Sequence, residues 1–261
     1  DGRRKIACAN FSSPLRNKGC SEMEISVKRI ILMFLKNFFY LPKMFFKLSK
    51  YAKNADKYSD EELYEFIRDI THHAVHAGKV DVNVTGLENI PENENFIFFP
   101  NHQGFFDVLA IIEACPVPFS VVYKKELKDI PFLKNVFKCL RSKYIDREDI
   151  RQSLTVINDM AKEVKQGHNF LIFSEGTRSR NGNNILEFKG GSFKAAYKAE
   201  CKVVPVALID TYKVFDTGST KRQAVTVKFL PAMDYETYKE LKTPDLAMLV
   251  HDKIQNAIVN D

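Results

Sequence analysis

"FIFFPNHQGFFDVLA", residues 96–110, decides how the chain is read. Phe96 to Pro100 is a continuous apolar run, the mark of a strand buried on both faces. Residues 105–114 carry a helical pattern. Between them stand Asn101, His102 and Gly104, and Asp107 follows the histidine by five positions. Strand, polar turn and helix in succession build an α/β sheet. Ligands bind such sheets at the carboxyl ends of the strands, which is where His102 falls.

A five-residue offset on one helix turns about 500° and leaves two side chains roughly 140° apart. His102 therefore belongs to the turn and Asp107 to the first turn of the helix. From there Asp107 can reach back to one imidazole nitrogen. That bond fixes the tautomer and leaves the other nitrogen as a base, with the carboxylate stabilising imidazolium. The helix start also offers N–H groups and positive potential for an anion. Gly104 permits close approach to the backbone, and Phe105 and Phe106 form a dry wall. Taken alone, the H-x-x-x-x-D spacing is a weak signal. A buried histidine bonded to a helix-capping aspartate is the bland alternative.

Outward from this stretch, strands and helices alternate. Residues 60–77 read as a helix capped by Ser59 or Asp60, and "VDVNVTG" (80–86) as a half-buried strand. "FSVVY" (119–123) is another buried strand. "ELKDIPFLKNVFKCL" is a helical segment interrupted by Pro131, and "KYID" a short strand. A helix over 148–166 stops at Gly167. The strand "NFLIF", the loop "SEGTRSRNGNN", a helix from Ser192 to Glu200 and the strand "VVPVALI" follow. "AVTVKFL" alternates as a strand, and Thr243 with Pro244 opens a last helix through Val259. The expected fold is α/β, with a mixed, largely parallel sheet flanked by helices.

Residues 27–48, "VKRIILMFLKNFFYLPKMFFKL", are the most apolar part of the chain. Their unbroken runs fall short of the ~20 residues of a bilayer span. A signal peptide fits poorly, since Lys36 interrupts the run. The pattern fits an amphipathic two-helix element lying in the membrane interface and bent at Pro42. From Lys28 to Lys57 there are eight Lys or Arg and one acid, Asp56, which suits an anionic membrane surface. The alternative is a helix pair covering the domain's own core, and both can hold in part. Three segments result: 1–22, a non-native or disordered extension (or a basic arm); 23–58, membrane-associating helices; and 59–261, the main domain.

The chain of 261 residues carries a net charge of +6, a mild attraction to anionic partners that does not choose among them. Its basic residues are not interleaved with aromatics, so nucleic acid is a poor fit. Cys8, Cys20, Cys115, Cys139 and Cys201 never form C-x-x-C, which reads as a reduced, intracellular protein without a zinc ribbon. His72 and His76 share a helix face but lack an acidic or Cys partner nearby in sequence. Ser192 misses the G-x-S-x-G spacing of a serine hydrolase.

Three further stretches extend the His–Asp signal. "YIDR" (144–147) ends in Arg147; "FSEGTRS" (173–179) puts Glu175, Gly176, Thr177 and Arg178 past a buried strand; "VVPVAL" (203–208) is a strand holding a proline. In this order NHQGFFD, YIDR, FSEGTRS and VVPVA resemble the four motif blocks of the 1-acyl-glycerol-3-phosphate acyltransferases, glycerolipid acyltransferases with the N-H-x-x-x-x-D motif. "KKEL" (124–127) and "FKGG" (188–191) support the likeness, which covers roughly residues 80–230. Two departures stand out: Arg141 and Tyr144 where the second block usually has Gly and Phe, and Ser174 where the third has Pro.

The resemblance implies acyl transfer from a thioester to the hydroxyl of lysophosphatidic acid, giving phosphatidic acid. His102 would be the base and Asp107 its orienting partner, with no covalent acyl-enzyme, no metal and no cofactor. Either an acyl carrier protein or coenzyme A would supply the acyl group. Arg147 and Arg178 are candidates for the acceptor phosphate, because guanidinium forks match phosphate oxygens. For Arg147 the alternative is a surface salt bridge with Asp146, Glu148 or Asp149. The Glu175–Arg178 block would bind glycerol phosphate, with Glu175 on the glycerol or positioning Arg178. Lys125 would add charge at the phosphate end, and Lys189 is a weaker candidate. A peripheral enzyme on the cytoplasmic face of the membrane is expected. A relative acting on glycerol-3-phosphate or another lysophospholipid, or a catalytically silent membrane-binding scaffold, remain the alternatives.

Overall fold

The computed structural model describes residues 27–260; the extension expected over 1–22 lies outside them. Strands β1 (Val80–Thr85), β2 (Phe96–Pro100), β3 (Ser120–Lys124), β4 (Lys143–Ile145), β5 (Phe170–Leu171), β6 (Lys202–Ile209) and β7 (Gln223–Phe229) form one sheet in the order β1-β7-β6-β2-β5-β3-β4. β6, β2, β5, β3 and β4 run parallel. β7 is antiparallel to β6, and β1 is parallel to β7. The sheet is thus mixed and largely parallel, as expected.

Strand β2 explains its own composition. Phe96 and Phe98 enter the core on one face, Ile97 and Phe99 the core on the other, and all four are fully buried. The first face is covered by α1 (Val27–Lys36), α2 (Leu41–Lys53), α3 (Asp60–Ala77), α4 (Asp107–Ala114), α5 (Pro131–Cys139) and α8 (Tyr212–Asp216). The second is covered by α6 (Ile150–Lys165), α7 (Lys194–Ala199), α9 (Tyr235–Tyr238) and α10 (Thr243–Val259).

The helix ends follow local chemistry. Ser59 Oγ accepts the Glu62 N–H at 3.2 Å, and Asp60, Glu61 and Glu62 place negative charge at the positive end of α3. Asp149 caps α6 by accepting the N–H groups of Arg151 and Gln152. Pro131 does not interrupt a helix. It is the first residue of α5, where its missing N–H leaves no gap. Helices α8 and α9, of five and four residues, are too short to show a period and were not expected.

The first two helices correct one expectation. The break lies at Asn37–Tyr40, and Pro42 sits in the first turn of α2 rather than at a bend. The alternative of a helix pair covering the domain's own core holds for one face of this element. Met33, Met44, Leu48, Tyr51 and Ala52 are buried in the domain core. Ile31, Phe34, Leu35, Phe38, Phe39 and Phe46 stay exposed. Arg29 does not belong to the exposed basic set. It is fully buried, and its guanidinium donates to the carbonyls of Gly78, Ser219 and Lys221, clamping α1 to the end of α3 and to the loop before β7.

Candidate active site

The parallel strands end at one edge of the sheet, and the residues of interest follow those ends. Asn101 extends the β2–β6 ladder past Pro100: its side chain donates to Leu208 O at 3.0 Å and accepts the Leu208 N–H at 2.7 Å. This fixes the start of the turn that carries His102. Asp107 opens α4, as expected, and its Oδ2 lies 2.8 Å from His102 Nδ1. A carboxylate only accepts, so Nδ1 carries the proton and Nε2 presents a lone pair. No described residue bonds to Nε2. The His102 ring stacks on Phe173 at 4.0 Å and is 17% exposed.

Asp107 is fully buried, and its Oδ2 also accepts the N–H groups of Gln103 at 2.7 Å and Gly104 at 3.0 Å. Both donors lie in the turn before α4, ahead of the helix's own first N–H groups. The first-turn carboxylate takes these turn amides because it reaches back over the chain that leads into its helix.

Glu175 is 2% exposed. Its Oε1 accepts the His102 N–H at 2.6 Å and its Oε2 the Leu186 N–H at 3.1 Å. The carboxylate expected on glycerol thus ties the His102 turn to the loop after β5. Ser179 N–H completes that tie by donating to His102 O at 2.8 Å. Burial pushes the Glu175 carboxyl up to about 7; the two N–H bonds oppose this and the Asp107 charge adds to it. The sign of the linkage follows. The folded protein holds this proton more tightly than the unfolded chain, so the contribution is full below about pH 4.5 and lost as pH rises through 7. Over that window wild type should lose about 3 kcal/mol more unfolding free energy than Glu175→Gln, measured by urea denaturation at both ends. The loss of the Leu186 bond in the variant offsets both pH values equally. Parallel pH profiles for the two proteins would refute the assignment.

Gly176 has a φ of +71°, and a Cβ there would stand 2.9 Å from Lys189 Nζ. Thr177 is exposed. Arg178 lies with its Cζ 4.1 Å from the Phe105 ring centroid and its Nη1 4.0 Å from Asp216 Oδ1. The Asp216 carboxyl is raised by burial and pulled back by Arg178. Asp216 and Phe173 had no signal in the sequence. One sits on α8, too short to show a period, and the other reads simply as the end of a strand.

His102, Asp107, Glu175 and Arg178 therefore converge. Lys125 and Arg147 follow β3 and β4, the second and third strands from β2. At about 4.8 Å per strand, β3 and β4 themselves run roughly 10 and 14 Å from β2. Lys125 does not present a free charge: its Nζ is 2.7 Å from Asp146 Oδ2. Arg147 is exposed and makes none of the salt bridges considered for it. Asp146 is taken by Lys125 and Asp149 by the α6 cap. Two clefts, of about 300 and 630 Å³, open at the amino ends of the strands and are lined by none of these residues. His72, set aside as a metal ligand, bonds Glu113 Oε1 at 2.8 Å.

Residues 81–209 match the family model described as Acyltransferase. The chain is 30% identical over 181 residues to the 1-acyl-sn-glycerol-3-phosphate acyltransferase of Borreliella burgdorferi, covering 67% of this chain and 70% of that one. It is 28% identical over 183 residues to the 1-acyl-sn-glycerol-3-phosphate acyltransferase of Saccharomyces cerevisiae, covering 69% of this chain and 60% of the yeast protein. Its fold is similar to the crystal structure of the 1-acyl-sn-glycerophosphate (LPA) acyltransferase PlsC from Thermotoga maritima. The TM-score is 0.70 at 24% identity, over 90% of this chain and 96% of that one.

Proposed function

The chain belongs to the acyltransferase family that includes the 1-acyl-sn-glycerol-3-phosphate O-acyltransferases, and from that membership we propose that it acylates the sn-2 hydroxyl of 1-acylglycerol-3-phosphate to give phosphatidic acid. The acyl group comes from a thioester of acyl carrier protein or coenzyme A. One observation carries the mechanism: His102 Nδ1–H is held by Asp107 at 2.8 Å while Nε2 has no partner among the described residues.

The acceptor hydroxyl is a poor nucleophile until it loses its proton. Nε2 of His102 takes that proton as the oxygen attacks the thioester carbonyl. An ester C–O bond forms and the C–S bond breaks. The imidazolium then returns the proton to the departing sulfur. Asp107 holds the ring in the productive tautomer and stabilises the imidazolium while it exists. Glu175 acts on the backbone of the same turn and keeps His102 in place.

Arg178 is the candidate for the acceptor phosphate nearest the base, and Arg147 extends positive charge along the same edge. Arg178→Ala should raise KM for lysophosphatidic acid roughly 10- to 100-fold, with less effect on monoacylglycerol, which lacks the phosphate. Steady-state kinetics in mixed micelles measure both. Equal losses on the two acceptors would remove Arg178 from phosphate binding.

The exposed apolar residues of α1 and α2, with Lys28, Lys36, Lys43 and Lys47 beside them, suit a membrane-interface element that holds the enzyme where acceptor and product reside. No helix among the described residues is long and apolar enough to cross a membrane. The test of the acceptor is a competition among lysophosphatidic acid, glycerol-3-phosphate and lysophosphatidylcholine with each thioester donor. Preference for lysophosphatidic acid supports the reading. Preference for another acceptor moves the chain to a different branch of the family. Absence of transfer to any of them points to the silent scaffold.

A further inference from the structure

The account above uses one oxygen of Asp107. Its other oxygen, Oδ1, is 2.6 Å from the hydroxyl of Thr211. Thr211 is fully buried and stands two residues past the end of β6, where the β2–β6 pairing brings it beside the His102 turn. It lies beyond the matched family segment, which ends at residue 209.

The direction of the bond follows from obligate partners. Gln103 Nε2 lies 3.0 Å from Leu208 O, a carbonyl that can only accept, so that end of the amide is the donor. Its Oε1 then accepts the Thr211 N–H at 2.9 Å. The Thr211 hydroxyl touches both this Oε1, at 2.8 Å, and Asp107 Oδ1, at 2.6 Å, with one proton to give. The shorter bond to an ionised acceptor is the stronger. The proton therefore goes to Asp107.

We infer that Thr211 is a positioning residue for acyl transfer: its hydroxyl fixes the Asp107 carboxylate so that Oδ2 meets the imidazole N–H. The inference rests on the reading of His102 as the base. Asp107 and Thr211 are both wholly buried, so loss of the hydroxyl leaves Oδ1 without a donor at a place closed to solvent. The carboxylate then turns to share the N–H groups of Gln103 and Gly104, and its hold on the imidazole loosens. Valine keeps the shape and removes the donor. Serine keeps the donor.

The test measures kcat and KM for Thr211→Val, Thr211→Ala and Thr211→Ser, each alone and with Asp107→Asn, with thermal unfolding as a check on folding. Thr211→Val should lower kcat roughly 10- to 100-fold with KM unchanged, and Thr211→Ala serves if valine disturbs folding. Thr211→Ser should stay within about 3-fold of wild type, because the donor is kept. With Asp107→Asn already present, the valine change should cost less than about 2-fold, since its target has lost its charge. Equal losses in the two backgrounds, or a serine variant no better than valine, would overturn the inference. The imidazole Nδ1–H proton resonance of His102 reads the same contact without turnover. It should shift or broaden in Thr211→Val and persist in Thr211→Ser. An unchanged resonance in Thr211→Val overturns the positioning role even if wild type makes no phosphatidic acid, a result that would instead count against the acyl-transfer reading.

Discussion

His102→Ala lowers kcat for phosphatidic acid formation by roughly a thousandfold, within the range that a positioned general base contributes. The change is confined to chemistry for structural reasons. The backbone bonds of His102, its N–H to Glu175 and its carbonyl from Ser179, do not involve the ring. Asp107 is not left unpaired, because the N–H groups of Gln103 and Gly104 and the Thr211 hydroxyl still reach it. What is lost is the ring's bond to Asp107 and its packing on Phe173, both from a partly exposed position. The variant should therefore fold, and KM for the acceptor should change little, since the arginines proposed for the phosphate are untouched. Steady-state kinetics with a thermal unfolding check decide the matter. A variant within tenfold of wild type would mean that another group removes the proton.

The second large effect concerns location rather than chemistry. Phe34, Phe38, Phe39 and Phe46 are 48%, 64%, 94% and 76% exposed. Full burial of one such side chain is worth about 1.5–3 kcal/mol, and an interface recovers part of that. Replacing all four by serine should weaken partition onto anionic vesicles roughly a thousandfold or more. These rings lie outside the two core clusters, so unfolding stability in solution should hold. Co-sedimentation with vesicles measures partition. Turnover of a short-chain, water-soluble acceptor should survive, while turnover of acceptor in vesicles should fall with binding. Unchanged sedimentation would make this face a protein contact or a bare surface.

The parts of the site that were legible in the sequence are those set by a single turn. On one helix the five-residue step from His102 to Asp107 would point the two side chains about 140° apart, so a pair that meets has to span a strand-to-helix turn. The partners contributed by other strands were harder to read. Glu175 stands at a strand end exactly as a ligand-binding carboxylate would; only the pairing of β2 with β5 turns its oxygens onto the His102 and Leu186 amides. Thr211 belongs to a run, "IDTYK", with no periodicity and no motif, and its role depends on β6 lying beside β2. Arg29 reads as part of a basic helix face. Its burial depends on the carbonyls at the end of α3 and in the 219–221 loop, which no local pattern places there. Pro42 read as a bend because proline breaks helix interiors, yet the first turn of α2 tolerates it.

The most direct test follows a labelled acyl group from thioester to lysophosphatidic acid in mixed micelles, with wild type and His102→Ala side by side and free thiol counted with the product. The account predicts labelled phosphatidic acid from wild type, one thiol released for each molecule formed, and almost none from the variant. Equal product from both proteins, or thiol release without transfer, would contradict it.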